Sequence, residues 1–447
     1  MKQEIPPFTE RALTSRAPRY TSYPPATQFD ESVGPDQAGA WLGQVDPAQP
    51  ISLYVHIPFC RRLCWFCACR TQGSATEAPL VPYLDSLAQE VLLVSDALPA
   101  GVTVGHLHLG GGTPTFLPPQ QMARLFAMLD ADFPRAPGAE ISVEVDPTEL
   151  DDARLDALAA GGVTRASLGV QDFDPRVQAA IGRPQSFDQT RAAVEGLRAR
   201  GIDAINLDLL YGLPHQTAET LRKTVDLALS LNPDRLALYG YAHVPWASKR
   251  QVMIKEADLP DAVTRLALTM QASAQFEAAG YRPVGIDHFA RPEDPMARAA
   301  ADGTLRRNFQ GYTTDMARTL IGLGASSISH LPQGYVQNAA RTADWKARLA
   351  QGRLTAVRGH ALTPTDRLEG AVIERLLCDF TVDPMTFHDP TAARRLIARA
   401  AREWSDAVTV DSAGVLRVND DAQHVARMIA LEMDAYASPA GRHSVAV

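Results

Sequence analysis

Four of the five cysteines in this 447-residue chain fall within ten residues: Cys60, Cys64, Cys67 and Cys69. They follow the strand-like run ISLYVHIPF in the order Cys-x3-Cys-x2-Cys-x-Cys. Thiolates crowded at the end of a strand are placed to hold a metal ion or a cluster, whereas a disulfide framework scatters its cysteines and needs an oxidising compartment. A structural zinc site takes two ligand pairs separated by a loop, and no second pair follows here. The fifth, Cys378, sits in the apolar run LLCDF and reads as a small core residue. Cys60, Cys64 and Cys67 suit three corners of a 4Fe-4S cluster, with one iron left open to a ligand that is not protein. The spacing favours the cluster over zinc without excluding zinc. Cys69, two residues beyond Cys67, reads as lining the site rather than binding iron.

Elements that could position this loop alternate along the chain. ISLYVHIPF (51–59), VGHLHLG (104–110), EISVEVD (140–146), RASLGVQD (165–172), AINLDLLYG (204–212), RLALYGYA (235–242) and PVGIDHFA (283–290) are β-rich. Amphipathic runs such as YLDSLAQEVLLVSDAL, QQMARLFAML, TRAAVEGLRARG and ETLRKTVDLALSL separate most of them. A repeating βα pattern predicts an α/β fold: a parallel sheet with helices outside, curved toward a partial (β/α) barrel. Ligands bind where such strands end, and the cysteine loop, the run Gly110-Gly111-Gly112-Thr113, Glu144 and Asp208 gather there.

The glycine run lacks the GxGxxG form of a dinucleotide fingerprint and reads as backbone closely approached by a ligand. Glu144 and Asp208 lie in apolar runs where a carboxylate needs a partner, and each is expected to hold a ligand amine or hydroxyl. His106 and His108, alternating with leucines, read as hydrogen-bonded histidines behind the site rather than metal ligands.

With 46% hydrophobic and 21% charged residues, the chain can bury a large core and exceeds the usual single-domain size. The N-terminal run lacks the apolar core of a secretory signal, no stretch is long enough to cross a bilayer, and the thiols are read as unpaired, so the reducing cytoplasm is the expected location. A net charge of −8 disfavours nucleic-acid binding while permitting a local basic pocket. Beyond about residue 360, RLEGAVIERLLCDF and DDAQHVARMIALEMDAYA read as helices around a hairpin, VTVDSAGVLRV, turning at Gly414. From Leu362 to Val447 there are nine basic and thirteen acidic residues, which argues for a cover over the barrel rather than a DNA-binding wing.

Cys-x3-Cys-x2-Cys after YVHIPF, the glycine run and the βα series resemble the radical S-adenosylmethionine (SAM) enzymes. Arg19-Tyr-Thr-Ser-Tyr-Pro, GGGTPTFL, EVDP, GVQDF, DLLYGLP, DHFARPED and RRNFQGYTT narrow the resemblance to the oxygen-independent coproporphyrinogen III oxidases of haem biosynthesis. That resemblance implies anaerobic oxidative decarboxylation of two propionates of coproporphyrinogen III to vinyl groups, giving protoporphyrinogen IX, through a 5′-deoxyadenosyl radical. The cofactor carries the hard step, and the protein orients and shields it. Haem chaperones and haem-modifying enzymes of the same superfamily are the alternative; the Arg19–Pro24 arm and Cys69 favour the oxidase. A zinc-stabilised binding protein is the non-enzymatic alternative.

Carried over residue by residue, the resemblance implies Cys60, Cys64 and Cys67 as cluster ligands, and Tyr54, Gly110, Glu144 and Ile328 beside the SAM on the cluster. It also implies a second SAM at Phe66, Gly111, Thr113, Gln171, Arg183, Asp208 and Ala242, and places Phe309 and Gln310 near the reactive centre. Ala68 and Arg70 depart from the family pattern. Four substrate propionates call for arginines, and Arg19, Arg291, Arg306 and Arg307 are the candidates. The expected division is an N-terminal arm covering the site (1–47), a radical SAM barrel (48–360) and a mainly helical C-terminal domain (361–447). A flavodoxin- or ferredoxin-like electron donor, an unknown electron acceptor and a monomeric chain complete the expectation.

Overall fold

The computed structural model describes residues 6–437. Six strands lie side by side in chain order and pair in parallel: β1 (Ile51–Ile57), β2 (Val104–Gly111), β3 (Arg135–Val145), β4 (Arg165–Gln171), β5 (Ala204–Tyr211) and β6 (Arg235–Gly240). The helices α1 (Leu80–Ala97), α2 (Pro119–Asp132), α3 (Asp152–Ala160), α4 (Phe187–Arg198) and α5 (Ala218–Ser230) supply the crossovers, and α6 (Ala262–Ala278) follows β6. Local chemistry sets their starts: Ser186 with Gln189 caps α4, and Thr217 with Thr220 caps α5, each by a reciprocal capping box. In α4 the buried residues Thr190, Ala193, Val194 and Leu197 form one face at helical spacing. Every residue of β1 is buried, as expected of a strand covered on both faces.

The sheet continues past both ends of this repeat. Beyond β6 come the short strands β7 (Arg282–Val284) and β8 (His288–Ala290); beyond β1 come β9 (Leu320–Leu323), β10 (Ile328–Leu331), β11 (Gly334–Asn338) and β12 (Ala356–Ala361). The order β12-β11-β10-β9-β1-β2-β3-β4-β5-β6-β8-β7 has two free ends, so the barrel is partial. The run 283–290, expected to extend the parallel series, instead breaks at Gly285 (φ +57°), and β8 runs antiparallel to β6. Three residues separate β7 from β8. That allows only a hairpin, since parallel neighbours need a crossover of a dozen or more.

One buried carboxylate fastens the β9–β12 extension to the repeat. Glu90 of α1, 1% exposed, accepts from the Gly324 N–H (2.5 Å), Asn338 Nδ2 (2.9 Å), Trp345 Nε1 (2.9 Å) and Thr355 Oγ1 (2.5 Å). Next to it the Tyr83 hydroxyl donates to the His56 carbonyl (2.7 Å) and accepts from the Ala325 N–H (3.2 Å). These bonds seat the turn between β9 and β10 against β1.

A second core joins the two ends of the chain. Phe8, Ala12, Tyr20 and Tyr23 pack with Val372 and Leu376 of α7 (Pro364–Asp379), Ile397 of α8 (Pro390–Glu403), and Trp404. The expected hairpin is present as Val408–Val410 with Leu416–Val418, turning at Gly414 (φ +87°). The long helix expected over 420–437 is shorter, a 3₁₀ turn (Asp420–Val425) and a six-residue helix (Ala426–Leu431). Its continuation is diverted because the Ala435 N–H bonds to the Tyr23 hydroxyl (3.0 Å) and Glu369 (3.2 Å) instead of a helical carbonyl. Between the cores, Asp30 pairs with Gly359 of β12, and the helix Pro35–Leu42 buries Ala38, Trp41 and Leu42 in the main core. The N-terminal segment therefore belongs to both cores and has none of its own.

Replacing Glu90 by leucine orphans three buried donors, the Gly324 N–H, Trp345 Nε1 and Thr355 Oγ1, each costing about 1–3 kcal/mol, while Asn338 keeps the Gly322 and Gly324 carbonyls and Ser327. The variant should unfold at a clearly lower urea concentration than wild type, with a loss of at least about 3 kcal/mol by that count.

Candidate active site

The parallel ladder between β1 and β2 carries on past the strands and delivers the cysteine loop. The Gly112 N–H donates to the Ile57 carbonyl (2.9 Å) and the Thr113 N–H to the Phe59 carbonyl (2.8 Å), which fixes the entry to Cys60. A Cβ on Gly112 would lie 2.6 Å from the Phe59 oxygen and 2.8 Å from the Phe59 nitrogen, backbone atoms that cannot move aside. Gly111 is at φ +108°, and a Cβ there would meet the His56 ring at 2.3 Å. The glycine run is thus required first by backbone packing.

Two segments clamp the loop. The Trp65 N–H bonds to the Ile181 carbonyl (2.9 Å). After β6, the Ser248 hydroxyl donates to the Cys67 carbonyl (2.8 Å), while Gln251 Nε2 donates to the carbonyls of Phe66 (2.8 Å) and Ala242 (3.1 Å). Inside the loop the Cys67 N–H bonds to the Cys64 carbonyl (3.3 Å), and the Cys69 N–H points at the Cys67 sulfur (3.4 Å). Burial pushes the Cys60 thiol up to about 11, against a hydrogen bond from Thr113. Hydrogen bonding from Cys69 pulls the Cys67 thiol down to about 6, against burial. The Arg183 guanidinium donates to the Cys64 sulfur (3.3 Å), faces Asp146 (3.2 Å) and donates to the Gly169 carbonyl (2.8 Å). Its Nε is buried without a partner.

Beside the loop the strand ends form a polar wall. Glu144 accepts from the Gly111 N–H (2.9 Å) and faces His108 Nε2 (3.4 Å), whose Nδ1 meets the Ser142 hydroxyl (2.7 Å). Burial opposes ionisation of Glu144, but the His108 and Gly111 contacts hold it below the ordinary carboxylate range. Since 43% of its side chain remains open to solvent, it is a ready-made charged acceptor in the wall of a cleft. Tyr54 stacks on His108 (5.8 Å between ring centres) and shares a hydrogen bond with His56 Nδ1 (2.9 Å). Asp208 accepts from Ser167 (2.9 Å) and Asn206 (2.8 Å), with its pKa raised by burial. Gln171 ends β4 in the left-handed region (φ +67°), and a Cβ on Gly169 would meet both its Nε2 (3.0 Å) and Arg183 (3.2 Å).

Tyr54, Phe66, Gly110, Gly111, Thr113, Glu144, Gln171, Arg183, Asp208 and Ala242 therefore occupy the ends of the parallel strands and the clamp around the cysteine loop. Ile328 opens β10, its carbonyl close behind Gly322 of β9, which pairs with Tyr54. Phe309 meets Tyr54 edge-on (5.2 Å). Gln310, in contrast, is exposed at the tip of the Arg306–Thr313 hairpin, its N–H on Asn308 (2.8 Å). His108 stands behind Glu144 as expected, and His106 pairs with Asp315 (3.2 Å). Asp146, Ser248 and Gln251 were missed: Asp146 carried a signal in EVDP, whereas nothing in the sequence marks a clamp nearly two hundred residues from the loop.

Phe309 also walls a cavity of about 570 Å³ between the N-terminal segment, the 306–318 region and α7. Tyr20, Tyr23, His330, Arg306, Arg307 and Arg318 line it. Arg307 donates to the carbonyls of Tyr20 (3.4 Å) and Arg19 (3.1 Å), lies over the Tyr312 ring (4.5 Å), and keeps a buried NH1 without a partner. Arg19 donates to the Gly240 carbonyl (2.7 Å), and Arg291 bonds to Asn232 and the Pro233 carbonyl, at the opposite end of the strands from the cysteine loop. Arg291 is therefore not among the cavity residues.

The thiol set fits an iron–sulfur cluster: three cysteines on one short loop, one thiol held low, and a buried cation hydrogen-bonded to another. Among the described residues, no group of three or more His, Cys, Asp or Glu is arranged to hold a single metal ion. No described helix is long and apolar enough to cross a membrane.

Residues 54–228 match the model of the radical SAM superfamily, which places the cysteine loop and the β1–β5 repeat among enzymes that use a 4Fe-4S cluster and SAM. The chain is 50% identical over 439 residues to the oxygen-independent coproporphyrinogen III oxidase of Paracoccus denitrificans, covering 97% of each. It is 49% identical to that of Cereibacter sphaeroides, again over 97% of each. The structure superposes on coproporphyrinogen III oxidase from Escherichia coli with a TM-score of 0.89 at 38% identity, covering 94% of this chain and 97% of that one. The chain belongs to the oxygen-independent coproporphyrinogen III oxidases.

Gly112→Ala should displace the Phe59 peptide at the entry to the cysteine loop and abolish cluster assembly, read as loss of iron and of the brown cluster absorbance after anaerobic reconstitution. Asp172, fully buried beside Gln171, accepts from Gln216 (2.6 Å) and Thr224 (2.9 Å), and burial raises it from 3.8 to about 6. A carboxyl raised on folding stabilises most below its unfolded pKa, and that contribution is lost as pH rises through the folded one. Between pH 4 and 7 wild type should lose about 2 kcal/mol more stability than Asp172→Asn, measured by urea unfolding against pH.

Proposed function

We propose that the chain carries out the anaerobic oxidative decarboxylation of two propionate side chains of coproporphyrinogen III, giving protoporphyrinogen IX in haem biosynthesis. The observation that carries this is the contact between Tyr54 and Phe309, because it joins the polar wall beside the cysteine loop to an arginine-lined cavity. A cavity of this volume is in the range of small-molecule sites, and its cations suit a substrate bearing several carboxylates.

Cys60, Cys64 and Cys67 would hold the cluster, one iron being left to a SAM bordered by Tyr54, Gly110, Glu144 and Ile328. When bound, cluster and SAM would supply the radical chemistry that acts at the propionate β-carbon. The ionised Glu144 accepts hydrogen bonds from an amine. Asp208, held by Ser167 and Asn206, suits ribose hydroxyls, and Arg183 suits a carboxylate. With Phe66, Gly111, Thr113, Gln171 and Ala242, these two are our candidates for a second SAM. Arg307 offers its unpartnered NH1 to a propionate, Arg318 faces the same space, and Arg306 does so while paired with Glu374 (2.8 Å). Phe309 shields the radical path from water, and the Tyr20–Tyr23 segment covers the cavity. Gln310 reaches the site only if the hairpin tip folds inward.

We further read residues 1–47 as the covering arm, 48–360 as the barrel and 361–447 as a C-terminal domain. The protein is read as a monomer fed by a flavodoxin- or ferredoxin-like donor. In an anaerobic assay with SAM, dithionite and coproporphyrinogen III, the product should be lighter by two carbon dioxide units, with 5′-deoxyadenosine formed alongside. Cys64→Ala should abolish both products. Arg307→Met should raise the KM for coproporphyrinogen about tenfold or more, the loss of one charge-assisted hydrogen bond. SAM cleavage by wild type without decarboxylation would move the function to another substrate.

A further inference from the structure

The segment that follows β6 has two unlike sides. Its inner side is polar and holds the cysteine loop: Gln251, 1% exposed, bonds to Phe66, Ser248 bonds to Cys67, and Arg250 donates to the Thr71 hydroxyl (2.7 Å). Its outer side turns Trp246, Val252 and Met253 to solvent, 47%, 70% and 58% exposed. Three large apolar side chains are thus open to solvent within eight residues of sequence. Lys249 and Lys255 stand exposed among them.

The two segments that meet here are basic, in a chain that is acidic overall. Residues 60–73 and 244–255 together carry six Arg or Lys and no Asp or Glu, in a protein of net charge −8. Arg61 and Arg62 are answered by Glu149 (2.9 Å) and Asp146 (3.9 Å), while Arg70, Lys249 and Lys255 have no ion pair among those the structure gives. Glu256 and Asp258 bound the patch on its far side. Exposed apolar side chains beside the exposed Lys249 and Lys255 suit an acidic protein surface that carries apolar residues of its own.

We propose that this face is the docking surface for an acidic one-electron carrier protein. The inference rests on the radical SAM reading, in which each cycle oxidises the carrier by one electron. That electron is consumed in cleaving the S–C5′ bond of SAM to methionine and the deoxyadenosyl radical. No residue of the 244–255 segment lines the cavity. Two hydrogen bonds, Ser248 to the Cys67 carbonyl and Gln251 to the Phe66 carbonyl, connect the segment directly to a cluster ligand and its neighbour. A donor bound there approaches the cluster without entering the site where the radical must be shielded.

The test uses reconstituted full-length enzyme, with 5′-deoxyadenosine formation driven either by dithionite or by photoreduced flavodoxin. The variants are Lys249→Glu/Lys255→Glu and, separately, Val252→Asp, all at exposed positions; iron content verifies that the cluster loop is intact. With dithionite both variants should match wild type. With flavodoxin the charge-reversed enzyme should show a KM raised about tenfold, and wild type should lose efficiency with added salt far more steeply than that variant. Equal flavodoxin KM values and equal salt dependence in wild type and both variants would overturn the proposal. So would a wild type that accepts electrons from dithionite but not from flavodoxin. Absence of SAM cleavage by wild type with dithionite would overturn the underlying radical reading instead.

Discussion

The structure depends on how closely two backbone segments can run at the ends of β1 and β2. Residues 57–60 and 110–113 continue the parallel ladder beyond the sheet, and only glycine at 111 and 112 leaves room for it. This ladder places Cys60 at the carboxyl end of the strands and, one strand away, brings the Gly111 N–H onto Glu144. The position of the thiols and the charge state of the wall beside them thus share one backbone constraint. A Cβ at Gly112 would have to displace the Phe59 peptide, so the sequence has little freedom there.

From that anchor the barrel separates its tasks by polarity. Strand residues facing the helices are aliphatic and fully buried, while those facing inward at the carboxyl end form hydrogen-bonded pairs: His108 with Ser142, Asp208 with Asn206, Tyr54 with His56. Each inward carboxylate has partners that hold it in place yet keep an acceptor available. Arg306, Arg307, Arg318 and Arg367 line the cavity together with Asp315, Asp366 and Glu374. Residues 8–23 build a common core with residues 368–433, so the Tyr20–Tyr23 wall of the cavity is held by packed side chains.

The sequence made the parallel repeat legible because each βα unit is local: an aliphatic strand and an amphipathic helix lie within about thirty residues. The cysteine spacing and the glycine run were legible for the same reason. What escaped was non-local. The β9–β12 extension depends on Glu90 meeting Asn338, Trp345 and Thr355 more than two hundred residues away. The clamp from Ser248 and Gln251 leaves no periodic signal. At 283–290 the composition was right for strand and silent on direction, which a three-residue connection decided. Arg291 had the right residue type in a matched segment, but its guanidinium bonds to the 232–233 turn at the other end of the strands.

The central claim is that the polar wall beside the cysteine loop and the arginine-lined cavity form one reaction space across Tyr54 and Phe309. Coproporphyrinogen III deuterated at the propionate β-carbons tests it most directly, with the 5′-deoxyadenosine recovered after anaerobic turnover and weighed. The account predicts deuterium in the 5′-deoxyadenosine and vinyl groups in the product. Vinyl formation with 5′-deoxyadenosine free of deuterium would contradict it.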